Sequence, residues 1–289
     1  PNPWRALIEP EREESLNATI DSKLRDGLPI VVDLVGGIGD QLENAALLLN
    51  LQSQVPTLSI RALGENSAIV KALLAQVPEL NLLDQTTPDQ THWRITAPWF
   101  RYWLGRSGIR ETIRKPLLTK QPARDSDRDT LLVCWRTKPD PMNPLSSFSR
   151  SVPFRQIVAL LEQWQPAAQR RGLQLIDISD YTLEETKVLQ TLFGAWVCLA
   201  RDQLTSLHDT IRLMGQAQAI ATVDTSLGHL SVLCGRGVHL LLPQWPDERW
   251  YDLLAEGLYR ELTTVHQQSR FHSWEEPLLA LSQQLDLIV

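Results

Sequence analysis

The sequence predicts an α/β fold built on parallel sheets, and three observations carry that reading. Short apolar runs rich in β-branched residues alternate with longer stretches of helical periodicity, first from Pro29 and again from Leu131. A glycine-rich turn, Gly36-Gly37-Ile38-Gly39, joins the first such run to the first helix. The polar stretch QPARDSDRDT separates two halves of similar pattern. A length of 289 residues fits two domains at roughly 150 residues each.

Pro29 to Asp33, PIVVD, reads as the first strand, and QLENAALLLNLQSQ, after the turn, as the first helix. TLSIRALGE is a second strand, SAIVKALLAQVP a helix ended by Pro78, and LNLLD a third strand. From Thr86 to Lys120 periodicity fades, and Trp93, Trp99, Phe100, Tyr102 and Trp103 crowd around Pro98 in an irregular excursion. The pattern restarts with the strand LLVCW, a long loop to about Ser151 and the helix VPFRQIVALLEQWQPAAQRR. LQLIDIS, VCLA, AIATVD and VHLLLP follow as strands, with TSLHDTIRLMGQAQ and SLGHLSVLCGR as helices between the later ones. The domains are expected at 1–125 and 126–270, with an amphipathic helix in 271–289 that packs back across the junction.

Composition removes several classes. Lys plus Arg number 28 against 34 Asp plus Glu, a net charge of −6 that disfavours a nucleic-acid partner. Arg94, Arg101, Arg106 and Arg110 near the aromatic cluster raise an RNA-binding reading, but no RNA-recognition motif accompanies them. Cys134, Cys198 and Cys234 form no CxxC and lie in apolar stretches, as thiols of a reducing compartment do. No apolar run reaches a membrane-spanning length and no signal-peptide pattern opens the chain, so cytoplasm is the expected location. The chain opens at Pro1, without a Met, as a processed or excised part of a longer protein does.

Two motifs carry chemistry. Asp40 directly follows Gly39 at the start of a helix, where the dipole favours its ionised form. There it caps the helix, or it takes a proton from an attacking hydroxyl as a general base. The turn lacks the third glycine of GxGxxG, since Leu42 stands there, and it lacks the GK[ST] of a P-loop. The second motif, Asp224-Thr225-Ser226-Leu227-Gly228-His229, runs from a strand into a helix. Its residues either cap that helix and pack its imidazole, or present N–H groups and hydroxyls to a diphosphate. Arg136 and Lys138, after another strand, are the cations expected to reach the same ligand, with solvated loop charges as the alternative. The six histidines, at 92, 208, 229, 239, 266 and 272, show no metal-ligand spacing, so no metal is expected. Ser226 with His229 lacks the GxSxG elbow of a hydrolase.

Taken together, DTIRLMGQAQAIATVDTSLGHLSVLCGRGVHLLLPQWPDERW resembles the C-terminal half of glycosyltransferases of the ADP-heptose heptosyltransferase type (glycosyltransferase family 9), especially relatives linked to tetratricopeptide repeats. GGIGDQLENAALL is similar to their GxGD turn and helix, and FSRSVPFRQIVALL to their RSIP-type helix start. Gly235-Arg236-Gly237 stands where relatives have GKP, Glu248 where they have Trp, and RTKPDP where they often have GNPK. The resemblance implies a GT-B architecture: two facing Rossmann-like domains with a cleft between them, acceptor on the first and sugar nucleotide on the second. It implies transfer of a sugar from a nucleoside diphosphate to a hydroxyl of a glycan or protein, without metal or other cofactor. By position it assigns Asp40 as the base and Gly39, Arg136, Lys138, Asp224, Thr225, Ser226, Leu227 and His229 to the donor. A repeat domain that docks an acceptor would lie upstream of this chain. The second reading is a catalytically silent module of the same fold that binds a sugar nucleotide or glycan as sensor or scaffold.

Overall fold

The computed structural model describes residues 18, 22, 30–52, 58–84, 93–97, 100–101, 112–118, 129–138 and 144–288. The chain divides into two compact units, Pro1–Glu111 and Thr112–Val289. The junction expected at residues 121–130 lies largely outside the described residues, as do Trp99, Tyr102 and Trp103 of the aromatic excursion.

The first unit is built on a three-stranded parallel sheet of order β2-β1-β3, with β1 at Ile30–Leu34, β2 at Leu58–Ala62 and β3 at Trp93–Thr96. Helix α1 (Ile38–Gln52) links β1 to β2, and α2 (Ser67–Leu74) follows β2. All five residues of β1 are buried, as a central strand covered on both faces requires. The expected third strand at LNLLD is reduced to one parallel bridge, Ile60 to Leu82, on the outer edge of β2. The third full strand is instead β3, inside the stretch read as irregular. Its sequence WRIT has no apolar run, and pairing with β1 from Ile30 to Asp33 fixes it. Asp33, 4% exposed, takes Arg61 of β2 at 2.9 Å and Arg94 of β3 at 2.8 Å, so its charge is compensated from both neighbouring strands.

The second unit carries a six-stranded parallel sheet of order β6-β5-β4-β7-β8-β9. Its strands are β4 (Thr130–Cys134), β5 (Gln174–Asp177), β6 (Val197–Leu199), β7 (Ala219–Val223), β8 (Val238–Leu242) and β9 (Thr263–Gln267). This is the doubly wound order in which the chain reverses its direction of growth between β4 and β7. Helices α3 (Pro144–Arg150), α4 (Phe154–Arg171), α5 (Leu183–Phe193), α6 (Leu207–Gln216), α7 (Ser226–Leu233), α8 (Arg249–Ala255), α9 (Gly257–Leu262) and α10 (Glu275–Gln284) complete it. Helix α4 ends where Gly172, at φ +64°, adopts the left-handed turn that closes helices. Against it packs α10, with Leu278 and Leu281 buried beside Trp164, whose Nε1 donates to Ser282 Oγ at 2.8 Å. The segment at Thr112–Leu118 belongs to this unit; Leu118 N–H bonds the Leu233 carbonyl at 3.0 Å. Elements α3, α5, α8, α9 and β9 add to the strands and helices expected from the sequence. Of these, α5 carried a sequence signal, because Thr182 and Glu185 form a reciprocal capping box at its start.

Candidate functional site

In the first unit the glycine turn leaves the carboxyl end of β1, the end of an open parallel sheet at which ligands bind. The residue that needs to be glycine is Gly36, at φ +99°. A Cβ there would also stand 2.8 Å from Asp40 Oδ2, so backbone and carboxylate approach only because the side chain is missing. Gly39 itself is buried within the first turn of α1. Asp40 Oδ2 accepts the Gly37 N–H at 2.8 Å, so the capping role foreseen for Asp40 is realised. Its carboxylate is partly exposed. Gln41 Nε2 donates to the Gly36 and Leu63 carbonyls, both at 3.1 Å, which ties the turn to the loop after β2. Gln41 carries no motif and was not anticipated.

In the second unit the register pairs Cys134 with Thr222, so the segments after β4 and β7 leave the sheet side by side at the point where its order reverses. Arg136 and Lys138 thus share an edge with Asp224 to Leu227. Thr225 is the N-cap of α7; its Oγ1 accepts from Leu227 N at 3.3 Å and lies 2.9 Å from Thr222 Oγ1. His229 is 1% exposed, with Nδ1 2.8 Å from the Tyr259 hydroxyl and its ring stacked 4.6 Å from Trp250. It is a packed imidazole that braces α7 against α8 and α9.

Four cations lie near this edge. Arg136 bonds Glu185 at 2.6 Å and lies over the Tyr181 ring at 5.5 Å, drawn toward α5. Lys138 is exposed. The guanidinium groups that gather at Asp224 belong to Arg150 and Arg249, at 3.5 Å and 3.7 Å from its two carboxylate oxygens. Arg150 also reaches the Asp224 carbonyl at 3.3 Å. Burial pushes the Asp224 carboxyl above its usual range, and the Arg150 charge opposes that shift. Burial likewise lowers Arg249. Neither arginine was anticipated, because each meets Asp224 only through the fold, although Arg150 lies within the FSRSVPF stretch and Arg249 within PDERW.

Behind Arg136 lies a buried polar cluster. Asp177, at the end of β5, accepts from Ser179 N at 2.8 Å and from the Tyr181 hydroxyl at 2.7 Å, while Ser179 Oγ accepts from Trp135 N at 2.7 Å. Burial raises Asp177 to about 6, with the Ser179 and Tyr181 hydrogen bonds opposing it. Burial and the neighbouring Asp177 charge hold Cys134 at about 11, which makes it a thiol and not a nucleophile at neutral pH. Among the described residues no three His, Cys, Asp or Glu side chains gather as a metal-holding group, and no helix is long and apolar enough to cross a membrane.

No family model matches the sequence, and no curated protein matches it. Solved structures do. E. coli ADP-heptose LPS heptosyltransferase II superposes with a TM-score of 0.57 at 14% identity, over 90% of this chain and 98% of that one. E. coli heptosyltransferase WaaC with ADP gives 0.58 at 11% identity, over 90% and 99%. TibC, from enterotoxigenic E. coli and described as an iron-containing dodecameric glycosyltransferase, gives 0.55 at 12%, over 86% of this chain and 66% of that one. At these identities the likeness is one of fold, and it falls on the group whose motifs the sequence resembles: the chain has the α/β fold of solved heptosyltransferases.

Proposed function

We propose that the chain is a glycosyltransferase of GT-B type that moves a sugar from a nucleoside diphosphate to a hydroxyl. The observation that carries this is the placement of the Asp224 to Leu227 turn at the reversal point of a doubly wound sheet, in a fold shared with heptosyltransferases. The diphosphate lies at the start of α7, where the dipole and the Thr225 cap region favour an anion, with Ser226, Leu227 and Lys138 beside it. Arg150 and Arg249, fixed by Asp224, supply the nearest buried-edge cations, and Arg136 with Glu185 borders the same edge. His229 keeps α7 in place.

In the transfer, the acceptor oxygen attacks the anomeric carbon as the bond from that carbon to the diphosphate oxygen breaks. The hydroxyl proton passes to Asp40, and the electron pair leaves with the diphosphate, whose growing charge the α7 start and the arginines stabilise. The acceptor is a glycan or a protein, and the reaction proceeds without a divalent metal. Calorimetric titration with ADP-, UDP- and GDP-sugars, with and without EDTA, followed by assay of released nucleoside diphosphate, tests this. One sugar nucleotide should bind with EDTA present and turn over with an acceptor. Binding without turnover on any acceptor points to a silent sensor module, and absence of binding overturns the donor site.

A further inference from the structure

On the second unit, residues outside the donor site form an exposed aromatic row. Trp245, 70% exposed, stacks on Phe271, 54% exposed, with ring centroids 5.7 Å apart and planes at 30°. Phe271 neighbours His272, and His272 stacks on Phe148, 56% exposed, at 4.1 Å and 9°. Exposed aromatics normally scatter singly; these are contiguous.

The row is also held rigid. Gln268, 3% exposed, accepts the Gln244 N–H at 3.2 Å and the His272 N–H at 3.1 Å through one side-chain oxygen, which joins the loop after β8 to the loop after β9. Gln267 Nε2 donates to the Gln244 carbonyl and Gln244 Nε2 to the Ser269 carbonyl. His272 holds φ +58°, a conformation that non-glycine residues seldom keep without support. Both ends of the row are continuous with the Asp224 edge: Phe148 precedes Arg150 on α3, and Trp245 shares a loop with Asp247, which bonds Arg249 N.

We propose that this row is a glycan-binding platform, on which pyranose rings lay their apolar C–H faces while the amides of Gln244 and Gln267 meet hydroxyl groups. Three aromatics of about 150–250 Å² each, 54–70% exposed, offer roughly 400 Å², enough for two or three sugar rings but about half of the roughly 800 Å² that a stable protein partner covers. An anionic bilayer is disfavoured because Asp247, Glu248, Glu275 and Glu276 outnumber Arg150, Arg249 and Arg270 in the loops and helix ends that flank the row. The platform goes beyond the transferase reading and does not require it.

The test is binding of the full chain to immobilised oligosaccharides of glucose, galactose, mannose, N-acetylglucosamine and heptose, with sedimentation and vesicle flotation (phosphatidylglycerol in phosphatidylcholine) run in parallel. At least one oligosaccharide should be retained. W245A/F271A should weaken it tenfold or more with an unchanged thermal midpoint and unchanged nucleotide binding, and W245F should keep binding within about threefold. Retention of no oligosaccharide, or retention unaffected by W245A/F271A, overturns the proposal. So does a concentration-dependent dimer or vesicle binding that the double variant abolishes.

Discussion

Replacing Asp40 with asparagine separates the two roles that the first unit offers this side chain. Its Oδ2 accepts the Gly37 N–H at 2.8 Å, and it sits in the first turn of α1. Losing such a cap costs about 1 kcal/mol, and losing the charge near the helix start costs a further 0.3–1 kcal/mol or so. Asparagine keeps an oxygen acceptor, so D40N should lose only the charge contribution, whereas D40A should lose both. A general base contributes about 10² to 10⁴ in rate, equivalent to roughly 2.7–5.5 kcal/mol of barrier. Both variants should therefore lose at least a hundredfold in turnover, while urea melts separate them by about 1 kcal/mol and donor affinity stays near wild type. G36A supplies a positional control. Its Cβ would stand 2.8 Å from Asp40 Oδ2, on a backbone at φ +99°, so it should cut turnover with the carboxylate still present. Turnover of D40N within threefold of wild type, measured by nucleoside diphosphate release, would leave Asp40 as a cap alone and remove it from the chemistry.

Three further outcomes rest on buried charge. D33A strands Arg61, whose side chain is 5% exposed, and should cost about 3–5 kcal/mol in chemical denaturation; a loss under 1 kcal/mol would mean that the pair is idle. Asp177 holds its proton to about pH 6 in the fold against 3.8 in the open chain, so its contribution is complete below pH 4, fades as pH rises and is gone above about 6. The stability of wild type relative to D177N should fall by up to about 3 kcal/mol from pH 4 to pH 7, and a flat difference refutes the shift. His266, lowered to about 4 by burial and by the neighbouring His239, behaves oppositely: its contribution is present above pH 6.5 and is lost as pH falls toward 4. H266Q should therefore flatten the acid limb of the stability profile, and an unchanged limb would place the imidazole in water.

The strands and helices that proved legible were those whose burial is written locally. β1, β4, β7 and β8 are short, mostly buried runs dominated by Val, Ile, Leu and Ala, and the glycine turn announces α1. The elements that were missed lack such a run. β9 reads TTVHQ with only His266 buried, as expected of an edge strand held by β8. In α5 only Leu189 and Phe193 are buried, so its capping box was a better sign than its periodicity. The site divides in the same way. Asp40, Thr225 and His229 stand within motifs that read continuously along the chain, whereas Arg150 and Arg249 reach Asp224 from 74 residues before and 25 residues after it. No local pattern encodes such a meeting; it follows from the sheet order that puts β4 and β8 on either side of β7.

That meeting decides what Asp224 does. A carboxylate directly before the proposed diphosphate site would by simple electrostatics repel the ligand, and removing its charge in D224N would raise affinity. The Asp224 side chain is only 2% exposed, however, and it has the half-buried guanidinium groups of Arg150 and Arg249 at 3.5 Å and 3.7 Å, so the cluster of three groups carries a net positive charge. Asp247, whose side chain is 55% exposed, offsets little of it through water. Asp224 is then a holder of cations, and its loss frees Arg150, which is only 26% exposed, to turn toward solvent. Placement is worth more here than one screened repulsion, because a guanidinium fixed in advance loses no side-chain entropy when the ligand arrives. D224N should therefore weaken nucleoside diphosphate binding about tenfold or more at constant ionic strength, with far-ultraviolet circular dichroism unchanged. Tighter binding in that titration would mean that repulsion dominates and that the arginines do not serve the ligand.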